Sequence, residues 1–120
     1  MALVVYEDLL PGTQLVNRLQ DLRYRVRAIT DVGTLEASAR QEKPLVVLAD
    51  LVSSRSDVCG AIARLKAGPD TGHIPVIAFA DEGADQLQAA ARTAGAALVV
   101  SDAAILSHLV QFLDQALQVD

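Results

Sequence analysis

A regular alternation constrains this chain more than any other feature. Five short apolar runs, at 2–5, 25–29, 45–49, 75–79 and 97–100, are separated by longer stretches with helical spacing. Most of the runs are rich in Val, Ile or Leu and nearly continuous, as strands covered on both faces of a sheet are. The second, Arg25-Val26-Arg27-Ala28-Ile29, alternates polar and apolar residues, which suits an edge strand. Strands that alternate with helices pair in parallel, and right-handed crossovers place the helices on both faces. The expected fold is a three-layer α/β sandwich around a five-stranded parallel sheet.

The stretches between the runs carry helix signals. Leu15, Leu19 and Leu22 recur at helical spacing, with Val16 beside them. Asp31 can cap the second helix, whose Val32, Leu35 and Ala39 share a face. The third helix holds Val58, Ile62 and Leu65 and stops at Gly68-Pro69. A fourth, over 85–93, is mostly Ala and ends before Gly95, and a fifth runs over 104–117. With 120 residues and a hydrophobic share of 52%, the chain reads as one domain, 1–120, with a real core. Aromatics are only 3%, so that core is built from Val, Leu, Ile and Ala.

Composition also excludes several functions. The net charge is −5 and the ten Lys and Arg are scattered, which argues against a nucleic-acid surface. No apolar run approaches the roughly 20 residues of a membrane span. The N-terminus lacks a secretory pattern, so a cytoplasmic location is expected. Cys59 is the one cysteine, so no internal disulfide forms. Its simplest role is that of a small buried apolar residue.

In open parallel sheets, ligands bind beyond the carboxyl ends of strands where the strand order reverses. For the flavodoxin-like order 2-1-3-4-5, that point lies between the first and third strands. Glu7 and Asp8 follow the first strand and Asp50 ends the third, so three carboxylates converge there.

Lys43-Pro44-Leu45-Val46-Val47-Leu48-Ala49-Asp50-Leu51 resembles the third strand of CheY-like response-regulator receiver domains. Thr71-Gly72-His73-Ile74-Pro75-Val76-Ile77 resembles the receiver entry into strand four, and Ala94-Gly95-Ala96 the turn before strand five. The resemblance covers essentially the whole chain and implies the (βα)5 receiver fold. It also implies that Asp50 occupies the phosphoacceptor position. The other pocket positions depart from the family. Two acids that hold Mg²⁺ are replaced by Tyr6 and Glu7, with Asp8 following. Ala80 stands for the Thr or Ser that contacts the phosphoryl group. Asp102 and Ala103 stand for the Lys-Pro after strand five, Ser54 for a Pro, and Val99 for the aromatic switch residue.

These departures bear on the chemistry. Phosphoryl transfer relies on positioning, a divalent ion and cationic neutralisation of spreading charge. Glu7 and Asp50 could still hold Mg²⁺ weakly, but Asp102 places a negative charge where the lysine would neutralise phosphate. Asp102 can equally serve as N-cap of the last helix. His73 and His108 lie far apart in sequence, with His108 on the polar face of the last helix, so neither is expected to bind a metal or act in catalysis, and no Gly-rich phosphate loop or nucleophile elbow occurs.

The last helix carries two adjacent apolar stripes, Ile105, Leu109, Phe112 and Ala116 beside Leu106, Val110, Leu113 and Leu117. A stripe this wide is consistent with deep burial or with a partner surface. The expected interaction face comprises Val99, Leu106, Val110, Leu113 and Leu117. The expected function is that of a pseudo-receiver: a non-enzymatic signalling module without a cofactor, acting through a homodimer or a protein partner such as a histidine kinase. The alternatives are a single-domain response regulator phosphorylated on Asp50 with Mg²⁺, and a small-ligand sensor using the strand-end crevice.

Overall fold

A computed structural model describes residues 2–6, 9–51, 57–81 and 83–117. Five strands alternate with helices: β1 (Ala2–Val5), β2 (Val26–Ile29), β3 (Val46–Asp50), β4 (Val76–Ala80) and β5 (Leu98–Ser101). The helices are α1 (Leu9–Asp21), α2 (Leu35–Glu42), α3 (Val58–Ala67), α4 (Asp85–Ala94), α5 (Asp102–Ser107) and α6 (Leu109–Leu117). The strands are all parallel in the order β2-β1-β3-β4-β5. This is the expected flavodoxin-like topology, with each strand within one residue of its apolar run.

The two-residue period of a strand divides the core into two layers. Leu3, Val5, Val47, Ala49, Val76 and Ala78 face one side, under Leu35 and Ala39 of α2, Ile62 and Leu65 of α3 and Ala91 of α4. Val4, Val46, Leu48, Ile77 and Phe79 face the other, against Leu15 and Leu19 of α1, Ile105 of α5 and Leu109 and Leu113 of α6. β1, β3 and β4 are buried along their whole length. On β2, Arg27 and Ala28 are exposed, and Arg27 pairs with Glu42 at 2.7 Å. β5 is half-buried throughout.

Helix ends follow local chemistry. The Asp31 side chain accepts from Gly33 N at 2.9 Å, and so caps a 3₁₀ turn, Val32–Thr34, that leads into α2. Asp57 caps α3 by accepting from Gly60 N. Gly95 ends α4 at φ 112, a left-handed conformation that penalises any Cβ. The Lys66 stem packs over Gly95, while its ammonium donates to Ile74 O at 2.9 Å.

The sequence indicates one final helix, but the structure has two. Ser107 ends α5, and His108 leaves the helical conformation while its N–H still bonds Ala104 O. The helix restarts at Leu109. Both pieces keep apolar side chains on the sheet, Ile105 on one and Leu109 and Leu113 on the other.

Candidate functional site

The order reverses between β1 and β3, and the carboxyl ends of β3, β4 and β5 gather acidic side chains there. Asp50 ends β3 at 5% exposure. Ala80 ends β4, fully buried and paired with Ser101 of β5. The next residues beyond these two strands are therefore Asp81 and Asp102, side by side past the strand ends. A strand-end position in a parallel sheet fixes its neighbours in this way, with no special side-chain chemistry required.

Asp102 is the anomalous group. Its Oδ1 is buried without a hydrogen-bond partner. Its carboxyl also hydrogen-bonds the carboxyl of Asp81 and lies near the charge of Asp50. A hydrogen bond between two carboxyl groups needs a proton on one of them. Burial is the largest influence, followed by the Asp81 bond and the charges of Asp50 and Asp81. Together they push Asp102 up to about 6.

Asp102 does not cap the last helix. Ser101 does so, its hydroxyl accepting from Ala104 N at 3.1 Å. The sequence offers two capping residues in succession. Pairing of Ser101 with Ala80 makes Ser101 the last strand residue, so the cap falls to it and Asp102 opens the helix.

Other singled-out positions fall in several places. Tyr6 is half-buried and its ring packs on the α1 side of the sheet. Glu7, Asp8 and Ser54 lie outside the described residues, so the Mg²⁺ pairing of Glu7 with Asp50 does too. Among the described residues, no group of three His, Cys, Asp or Glu is placed to hold a metal ion. His73 is exposed near Arg40 and Lys43, and His108 stands at the helix break with its ring edge-on to Phe112 at 6.2 Å. Cys59 is only partly buried, packed on the α3 layer. Burial, then the charge of Asp57, pushes its thiol up.

The five residues expected on one interaction face separate. Val99 packs on the α3 and α4 layer. Leu106 and Leu117 pack partly on the opposite layer. Leu113 is 3% exposed and belongs to the core, while Val110 is 53% exposed. Within the unbroken α6, Leu113 sits on the sheet side while Val110 stands at the outer edge of the stripe, so the members do not share one surface. Sequence reasoning missed Asp81. Its signal was its place directly after Ala80, one residue beyond the strand that neighbours β5.

No family model matches the sequence, and no curated protein matches it. Solved structures do. The receiver domain of NtrX from Brucella abortus superposes with a TM-score of 0.85 at 20% identity, covering 100% of both chains. The fold is that of a receiver domain. The receiver domain of a sensor histidine kinase from Pseudomonas aeruginosa, which holds a magnesium ion in its active-site cleft, gives 0.86 at 20% identity, over 97% of this chain and 95% of that one. The BeF3-activated receiver domain of RstA from Klebsiella pneumoniae gives 0.84 at 19% identity, over 98% of each. The pocket around Asp50, Asp81 and Asp102 thus lies at the strand ends of a receiver-like domain. No helix among the described residues is long and apolar enough to cross a membrane.

Proposed function

We propose that this chain is a receiver-like module of a two-component-type signalling system that works in the cytoplasm by protein–protein contact, without conventional phosphorylation of Asp50. Its partner is a second copy of itself or another signalling protein such as a histidine kinase. The observation that carries the reading is the position of Asp102. Receivers use a lysine there to neutralise phosphate, whereas here a carboxyl group faces Asp50 and Asp81. A phosphoryl group adds about −1.5 to −2 charges at neutral pH. It would enter a pocket already crowded with carboxylates, with Ala80 supplying no hydroxyl.

The test is intact-mass measurement after incubation with acetyl phosphate and Mg²⁺. The expected result is no adduct on wild type. A Mg²⁺-dependent gain of one phosphoryl mass that disappears in Asp50→Asn overturns the reading.

A further inference from the structure

The break between α5 and α6 opens a groove against α1. Its volume is about 480 Å³, and its walls include Arg18 and Asp21 of α1 and Leu22 just after it, with Leu106, His108 and Val110 from the other side. Leu22 and Val110 are two of the four large apolar residues most exposed among the described residues, at 41% and 53%. Burying them would return roughly 25 cal/mol per Å² of apolar surface. Arg18 and Asp21 are both exposed and lie three residues apart, so they stand on one side of the helix. Neither forms an ion pair with the other or with another described residue.

We infer that this groove is a self-complementary interface, occupied by the same groove of a second copy of the chain. The inference rests on the reading of the chain as a contact module and deepens it by naming the face and the partner. In a two-fold interface the same patch meets itself, so residue i contacts j and j contacts i. One unpaired cation and one unpaired anion flanking an apolar centre meet that condition. Arg18 of one copy faces Asp21 of the other, twice, around a centre formed by Leu22, Leu106 and Val110. A groove recognising an unrelated helix needs no such balance of charge within a single turn. The apolar centre supplies most of the affinity. The crossed pairs are solvent-exposed, so they add little energy and mainly fix register. They also oppose the repulsion between two chains of net charge −5.

Sedimentation equilibrium tests this on the whole chain. Wild type is expected to form a dimer in the micromolar range. Val110→Glu places a charge in the apolar centre and weakens the dimer by at least about tenfold, equivalent to about 1.4 kcal/mol. Should Val110→Glu unfold, Leu22→Lys serves the same purpose. Arg18→Glu and Asp21→Arg each place like charges across the two-fold and weaken self-association. An equimolar mixture of those two variants restores dimers, because each meets its opposite. Circular dichroism on every variant shows that the fold is kept.

Three results overturn the inference: a wild type that stays monomeric at several hundred micromolar, dimers unaffected by Val110→Glu and Leu22→Lys, or no recovery on mixing the charge variants. A monomeric wild type assigns the groove to a different protein. Phosphorylation is read separately by mass. An adduct on Asp50 with an intact dimer removes the functional reading and leaves the interface standing, and no adduct with a monomer does the reverse.

Discussion

The carboxyl groups of Asp81 and Asp102 meet across the ends of β4 and β5, hydrogen-bonded to one another beside Asp50. The pair exists because Ala80 and Ser101 are register partners, so their successors emerge together. Burial first, then the neighbouring carboxyls, favours the protonated form of Asp102. The negative charge of the pocket is therefore a function of pH.

This gives a definite dependence of stability on pH. Asp102 is raised from an ordinary 3.8 to about 6 in the folded state. Between those values the native chain binds more protons than the unfolded one, so stability falls as pH rises through that window. Above about 6 the penalty is constant. Asp102→Asn removes the charge and can still donate to Asp81. The variant should be more stable than wild type at pH 7.5 by roughly 1 kcal/mol, the full shift being discounted for the solvent that reaches the carboxyl. That is a rise of about 4 °C in Tm. The two proteins should converge near pH 4. Thermal melts across this range check it. Equal stability at every pH would remove Asp102 from the cluster.

Helix capping separates Ser101 from its neighbour. Ser101→Ala should cost about 1 kcal/mol in urea unfolding, since Ala104 N loses its acceptor. Asp102→Ala should cost less than Ser101→Ala, or stabilise the fold. The reverse order would return the cap to Asp102.

Leu113 and Val110 share one apolar stripe in the sequence but should behave differently. Leu113→Ala removes core volume at a position 3% exposed, at a cost of about 2–5 kcal/mol. Val110→Ala, at a position 53% exposed, should stay within about 0.5 kcal/mol, measured at dilutions where the chain is monomeric. Denaturant titrations of both variants give the comparison directly.

If charge in the pocket is what prevents phosphorylation, reversing it should help. Asp102→Lys should increase the Mg²⁺-dependent phosphorylation of Asp50 by acetyl phosphate by at least about tenfold over wild type. Mass spectrometry with Asp50→Asn as control reads the outcome. No increase would mean that another missing element, such as the hydroxyl absent at Ala80, is limiting.

The fold was legible because apolar periodicity and strand spacing are set by the whole chain's need to bury one sheet. Val46 to Ala49 and Val76 to Phe79 leave little freedom once β1 lies between β2 and β3. The site was legible only in part. Asp50 and Asp102 were marked by their places at strand ends. Asp81 was not, because its importance comes from register with β5 and not from any motif. The break at His108 was also hidden. The sequence on both sides keeps helical spacing and contains no Gly or Pro to mark the interruption. Leu113 and Val110 also part company within α6 itself: three residues apart, they stand about 60° from one another around the helix, so one reaches the sheet and the other faces out.

The two margins of the sheet are unequal in a way that matters outside the folded state. β2 carries Arg27 on its exposed side, tied to Glu42, and a charged outer strand resists addition of a further one. β5, Leu98-Val99-Val100-Ser101, has no charged residue and is only half covered. When heat or denaturant loosens α4 and α5, the row of backbone donors and acceptors freed first for pairing with another chain is the β5 row. Aggregation of this protein should therefore grow from one side of the molecule, and a lysine at Val99 or Leu98 would slow it more than the same residue anywhere on β2.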